Sequence, residues 1–144
     1  YARAEGIPFT IHAGEAAGPE SIRQAVDYGT SRIGHGVNCI HDKNLMNIIA
    51  EKGITLELCP TSNLNTKIVN DIKDYPIDEI INNKIKVTIN TDNMTVSGTD
   101  EASEMKLICD TFGYDGNMRR IFVDNAIDAA FLSNEMKEKL RGNL

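Results

Sequence analysis

The stretch that decides the fold is "IPFTIHAGEAAGPESIRQAVDYGTSRIGHG", residues 7–36. Ile7 to His12 has the apolar and β-branched character of a strand. Gly18-Pro19 then opens a helix, since proline is tolerated in a first turn where its missing N–H costs nothing. Ile22, Ala25 and Val26 fall on one face of that helix and Gly29 stops it. Arg32 to His35 reads as a second short strand. Strand, helix and strand in immediate succession form a βαβ unit, whose two strands lie parallel.

The same alternation continues outward. Asp42 can cap a second helix with Leu45, Ile48 and Ile49 inward and Gly53 beyond it. Ile54 to Cys59 is a third strand, closed by Pro60. Pro76 opens a short helix carrying Ile77, Ile80 and Ile81, and Lys86 to Asn90 is a fourth strand. The tail is helical. Thr99 can cap a helix with Met105, Ile108, Cys109 and Phe112 on one stripe; a second helix runs from Asn117 to Phe131, and a last one follows Ser133. Upstream, Tyr1 to Gly6 reads as the last turn of a helix with glycine as its stop. The chain is therefore expected to be a piece of a longer protein.

Four strands, each followed by helix, make an α/β fold that is half of a (β/α)₈ barrel or a small open sheet. Three strands end in ionisable residues: His12, His35 and Asp92. A barrel gathers its chemistry at the C-terminal ends of its strands, whereas an open sheet binds mainly at one crevice. Polar groups on three of four strand ends favour the half-barrel.

Composition excludes several function classes. The 144 residues suffice for one domain with a core, and 41% apolar and 25% charged residues are ordinary for a globular chain. A net charge of −6 without a basic stripe argues against nucleic acid as partner. No apolar run spans a membrane, and no leader is visible. Cys39, Cys59 and Cys109 are dispersed and odd in number, as expected of reduced thiols in a cytoplasmic protein.

The candidate residues gain weight from their order. Alone, His12 is a strand-end histidine and Glu15 a loop carboxylate. Together, imidazole can ligate a metal while a carboxylate three residues on reaches what the metal holds. His35 stands between Gly34 and Gly36, which admit close approach of backbone or ligand. Asp92 can ligate or accept a proton; otherwise it forms an Asx turn or a cap. Met94 to Gly98 suits a substrate-facing loop. Ser62, in "CPTSN", lacks the Gly-x-Ser-x-Gly elbow of a nucleophile and is read as supporting the site wall. His41 is expected to be exposed.

In these motifs the sequence resembles the C-terminal half of the adenosine deaminase family. The resemblance rests on His-Ala-Gly-Glu at 12–15, Ser-Arg-Ile-Gly-His-Gly at 31–36, Leu-Cys-Pro-Thr-Ser-Asn at 58–63 and Asn-Thr-Asp at 90–92. It covers essentially the whole chain, so residues 1–144 are expected to be a single partial domain holding barrel strands 5 to 8. It implies one Zn²⁺ and hydrolytic deamination of adenosine and deoxyadenosine to inosine products and ammonia in purine salvage. By motif match, His12 and Asp92 would be zinc ligands and Glu15 would protonate the purine at N1. His35 would orient the attacking water or help deprotonate it, and Asp92 would also be its hydrogen-bond partner. Gly14 and Asn93 would contact the purine nucleoside.

Two departures qualify the resemblance. The family commonly has a second aspartate where this chain has Asn93, facing the acceptor N7. An amide offers N–H donors without needing protonation, so binding is expected to survive. The family also draws two zinc ligands from a His-x-His on its first barrel strand. The histidines here are His12, His35 and His41, so the chain by itself is expected to bind zinc weakly and turn over poorly. Open sheet edges and an uncovered inner face are expected to promote self-association. A cytidine-deaminase-type site is rejected, since that needs His-x-Glu with Pro-Cys-x-x-Cys. An adenine or other aminopurine deaminase shares every motif quoted. A non-catalytic nucleoside-binding domain would not need to retain the metal.

Overall fold

The computed structural model describes residues 1–143. Four parallel strands, β1 (Thr10–Ala13), β2 (Arg32–His35), β3 (Thr55–Leu58) and β4 (Lys86–Ile89), pair in sequence order. Eight helices accompany them: α1 (Pro19–Asp27), α2 (Lys43–Glu51), α3 (Pro60–Asn65), α4 (Ile77–Asn82), α5 (Met94–Ser97), α6 (Glu101–Phe112), α7 (Gly116–Ala129) and α8 (Asn134–Arg141). Parallel neighbours joined by helices are the C-terminal half of a (β/α)₈ barrel, as the alternation of elements predicts.

The register lines residues into rows across the sheet. Ile11, Ile33, Leu56 and Val87 form an apolar row. Thr10, Arg32, Thr55 and Lys86 form a polar row on one side of it; His12, Gly34, Glu57 and Thr88 form another on its other side. Successive side chains alternate between faces, so one face of the sheet is apolar and the other polar. The apolar face meets buried Ile22, Leu45, Met46, Ile49, Ile77, Ile80, Ile108 and Phe122 from the helices. The polar face is tied by its own bonds. Arg32 Nε lies 3.1 Å from Glu57 Oε1, and the Thr10 hydroxyl donates to Glu57 Oε2 at 2.7 Å. The Arg32 guanidinium also stacks 3.8 Å over the Phe131 ring. The inner face is thus polar rather than an apolar patch.

Several boundaries differ from expectation for local reasons. Pro8 has no N–H to give a ladder, and β1 begins only at Thr10. The cap before α6 is Asp100, whose carboxylate accepts from Ser103 N–H at 2.8 Å, not Thr99. Asp115 accepts from Asn117 and Met118 and starts α7 at Gly116, one residue early. The 94–98 segment is mostly a helical turn, α5, and "CPTSN" enters α3. Asp42, Pro19 and Ser133 begin their helices as read. Tyr1 to Gly6 does form a 3-10 turn with Gly6 left-handed. No helix among the described residues is long and apolar enough to cross a membrane.

Candidate active site

The C-terminal ends of the four strands open into a cleft of about 300 Å³ lined by His12, Gly34, His35, Glu57, Asn90 and Asp92 among others. β1 delivers His12. Gly14 follows in the left-handed region at φ +68, where a Cβ would stand 2.3 Å from Ile22 Cδ1, so only glycine fits the bend. Its N–H donates to Ser21 Oγ at 2.9 Å, and its carbonyl accepts from Asn38 N–H. The bend returns Glu15 toward the strand it left. Asn38 Nδ2 donates to the Glu15 carbonyl at 2.7 Å and fixes it there.

β2 delivers His35 with φ +62, and β4 is followed by Asp92 with φ +55. Side chains with a Cβ seldom adopt this region, and such strain concentrates at functional sites. After His35, Gly36 is left-handed too, with Leu56 filling the space a Cβ would need.

Three of the sequence-predicted residues converge. His12 Nε2 lies 2.9 Å from Glu15 Oε2, and His35 Nε2 lies 3.7 Å from the same oxygen. The two imidazoles are 4.4 Å apart between centroids. The donor atoms of His12, Glu15 and His35 all lie within 4.8 Å of one another. His12 is 62% exposed at its side chain and His35 only 3%, so the first faces the cleft and the second is its wall. Burial lowers the His35 pKa, with Glu15 and Asp92 opposing and His12 reinforcing that shift. Asp92 lines the same cleft but is not in the three-residue cluster. Asn93 is exposed at the start of α5, where its Oδ1 accepts from Val96 N–H at 3.0 Å as a helix cap.

The supporting residues come from α3 and beyond. The Ser62 hydroxyl donates to Asp92 Oδ2 at 2.8 Å. This gives the wall-supporting role read for Ser62 a specific target. Asn63, fully buried, has its Nδ2 3.1 Å from His35 Nδ1, and the Tyr75 hydroxyl donates to Asn63 Oδ1 at 2.9 Å. The Thr66 hydroxyl donates to Glu15 Oε1 at 3.2 Å. Glu104, fully buried on α6, accepts from Thr61 N–H at 3.0 Å and so holds the first turn of α3. Sequence reading missed Asn63, Thr66, Tyr75 and Glu104. Only Asn63 sat inside a motif that had been singled out.

The donor set suits a borderline metal such as zinc: imidazole nitrogen and carboxylate oxygen on one open mouth. Asp92 and His35 are each held by a hydrogen bond from α3, from Ser62 and Asn63 respectively, of the kind that orients groups around such an ion.

The sequence matches the family described as adenosine deaminase over residues 1–144. An adenosine deaminase of Haemophilus ducreyi is 44% identical over 144 residues, 100% of this chain and 42% of that protein. Among solved structures, adenine deaminase from Arthrobacter aurescens superposes with a TM-score of 0.92 at 24% identity, over 96% of this chain and 43% of the other, a likeness of fold. A zinc-bound amidohydrolase from Burkholderia ambifaria gives 0.87 at 26% identity, over 97% and 40%. An Arabidopsis protein, ADAL, complexed with IMP, gives 0.87 at 28%, over 98% and 41%. The chain spans less than half the length of these proteins.

Proposed function

We propose, from the premise that this chain belongs to the adenosine deaminase family, that it is the C-terminal half of a zinc-dependent enzyme deaminating adenosine and deoxyadenosine. The observation that carries the reading is the convergence of His12 and His35 on one Glu15 oxygen at the mouth of the strands. His12 and Asp92 would hold the ion, completed by ligands from outside these 144 residues. When bound, zinc would activate water for attack near neutral pH.

The chain's own groups do the remaining work. Glu15 delivers a proton to the purine ring at N1, which neutralises the charge that attack at C6 pushes into the ring. Its carboxyl is largely enclosed, at 12% side-chain exposure, so it is held against what the cleft binds. Asp92 accepts a hydrogen bond from the incoming water, with Ser62 holding its other side. Asn93 turns its free N–H₂ toward N7 while its oxygen caps α5. The Gly14 carbonyl keeps a second lone pair for the substrate. Two zinc ligands are fewer than catalysis needs, so the 144 residues alone would turn over poorly.

The test is conversion of adenosine to inosine by the chain extended to the length of its relatives, with adenine as competing substrate. Glu15→Gln should lower kcat by about 10²-fold or more. A zinc-loaded, extended protein that deaminates adenine but not adenosine would overturn the nucleoside assignment. One that deaminates neither would overturn the enzymatic reading.

A further inference from the structure

A buried chain of hydrogen bonds runs from Tyr75 through Asn63 and ends on the far side of the His35 ring. The Tyr75 hydroxyl donates its single proton to Asn63 Oδ1, 2.9 Å away. With the amide oxygen occupied by that donor, the other end of Asn63 must be its N–H₂. It lies 3.1 Å from His35 Nδ1. An N–H₂ can only donate, so Nδ1 must carry a lone pair, and the proton of a neutral ring sits on Nε2. Asn63 is fully buried and Tyr75 is 2% exposed, so no solvent competes for these groups.

We infer that Asn63, oriented by Tyr75, is a positioning residue that fixes His35 as the Nε2–H tautomer, so that His35 presents a hydrogen-bond donor to the cleft. Nε2 is the nitrogen 3.7 Å from Glu15 Oε2. A donor there binds an oxygen lone pair and orients it. It cannot at the same time remove a proton. Of the two roles open to His35, orienting the attacking water and deprotonating it, the tautomer selects the first. The selection rests on the site reading above; the tautomer itself does not.

The test is nitrogen-15 NMR on this chain, at a pH well above the ordinary histidine value of about 6.5. His35 should show an unprotonated Nδ1 and a protonated Nε2. A scalar coupling should cross the hydrogen bond from Asn63 Nδ2 to His35 Nδ1. In Asn63→Asp, whose ionised side chain can only accept, the proton should move to Nδ1 and the two ring signals should exchange character. A wild-type ring protonated at Nδ1, or no coupling to Asn63, overturns the inference without any variant. A folded Asn63→Asp with the wild-type ring pattern does so too. None of these readouts needs turnover, so failed deamination with an Nε2–H ring would count against the proposed function alone.

Discussion

The Ser62 hydroxyl donates to the Asp92 carboxylate across 2.8 Å, tying the first turn of α3 to the end of β4. Asp92 is left-handed and otherwise exposed, so this bond is what aims its carboxylate. Outer partners of this kind cost roughly 10- to 100-fold in metal affinity when removed. Ser62→Ala should weaken zinc binding about 10-fold, read by competition with a chromophoric chelator. Equal affinity in the two proteins would show that Asp92 is aimed by something else, or is not a ligand.

Glu104 contributes to stability from outside the cleft. Removing its side chain strands the Thr61 N–H and leaves a hole where a fully buried residue stood. Glu104→Ala should cost about 3 kcal/mol in urea unfolding. A loss below about 0.5 kcal/mol would mean α3 needs no such anchor.

Asn93 has two ends with separate duties. Asp is as good an N-cap as Asn, so Asn93→Asp should leave stability unchanged, while Asn93→Ala should cost about 1 kcal/mol. In the extended protein, Asn93→Asp loses the neutral N–H donor proposed for N7, and KM for adenosine should rise. If Asn93→Ala leaves the midpoint of unfolding where it was, the cap contributes nothing.

Cys39 and Cys59 are pushed up to about 12 from an ordinary thiol value of 9.0, chiefly by burial, with nearby carboxylates adding to it. The unfolded chain therefore releases these protons at lower pH than the folded one. Stability from the buried neutral thiols is present below about pH 9 and is lost as pH rises from there toward 12. Denaturation midpoints should fall across that window, and both thiols should resist alkylation at pH 8 until the chain unfolds. Rapid alkylation of either in the folded state would contradict this.

Self-association is expected through the sheet edges rather than the inner face. That face carries Arg32, Glu57, Thr10 and Lys86 and offers no apolar patch, while β1 pairs with one neighbour only. Asn125 Nδ2 already covers the Val87 carbonyl on β4, at 2.9 Å. Light scattering should report masses above the 15.9 kDa of one chain that rise with concentration. A single species at 15.9 kDa throughout would count against it.

What was legible in the sequence is what local chemistry writes. Pro19 and Asp42 mark helix starts because their effects reach only one turn, and Leu45, Ile49, Ile77 and Ile80 mark buried faces by spacing. His12, Glu15, His35 and Asp92 stand out because they lie at or just after the C-terminal ends of three of the four strands. Glu104 and Tyr75 did not. Thr61 and Glu104 are 43 residues apart, and Asn63 and Tyr75 are 12 apart. Such pairs leave no periodic trace: a glutamate on a helix and a tyrosine in a loop look solvated until the fold brings a backbone N–H and an amide to them. Thr99 and Asp100 illustrate a smaller ambiguity, since both are cap residues and only backbone geometry chooses between them.

The anchor between Glu104 and Thr61 has a mechanical consequence. α3 carries Ser62 against Asp92 and Asn63 against His35, so one short helix steadies side chains presented by two different strands. Its first turn is pinned by a residue of α6, which packs on β4. A displacement of α6 would therefore act as a lever, swinging the carboxylate and the imidazole together rather than one at a time. The two would keep step with each other, and a disturbance far from the cleft would be felt at both walls at once.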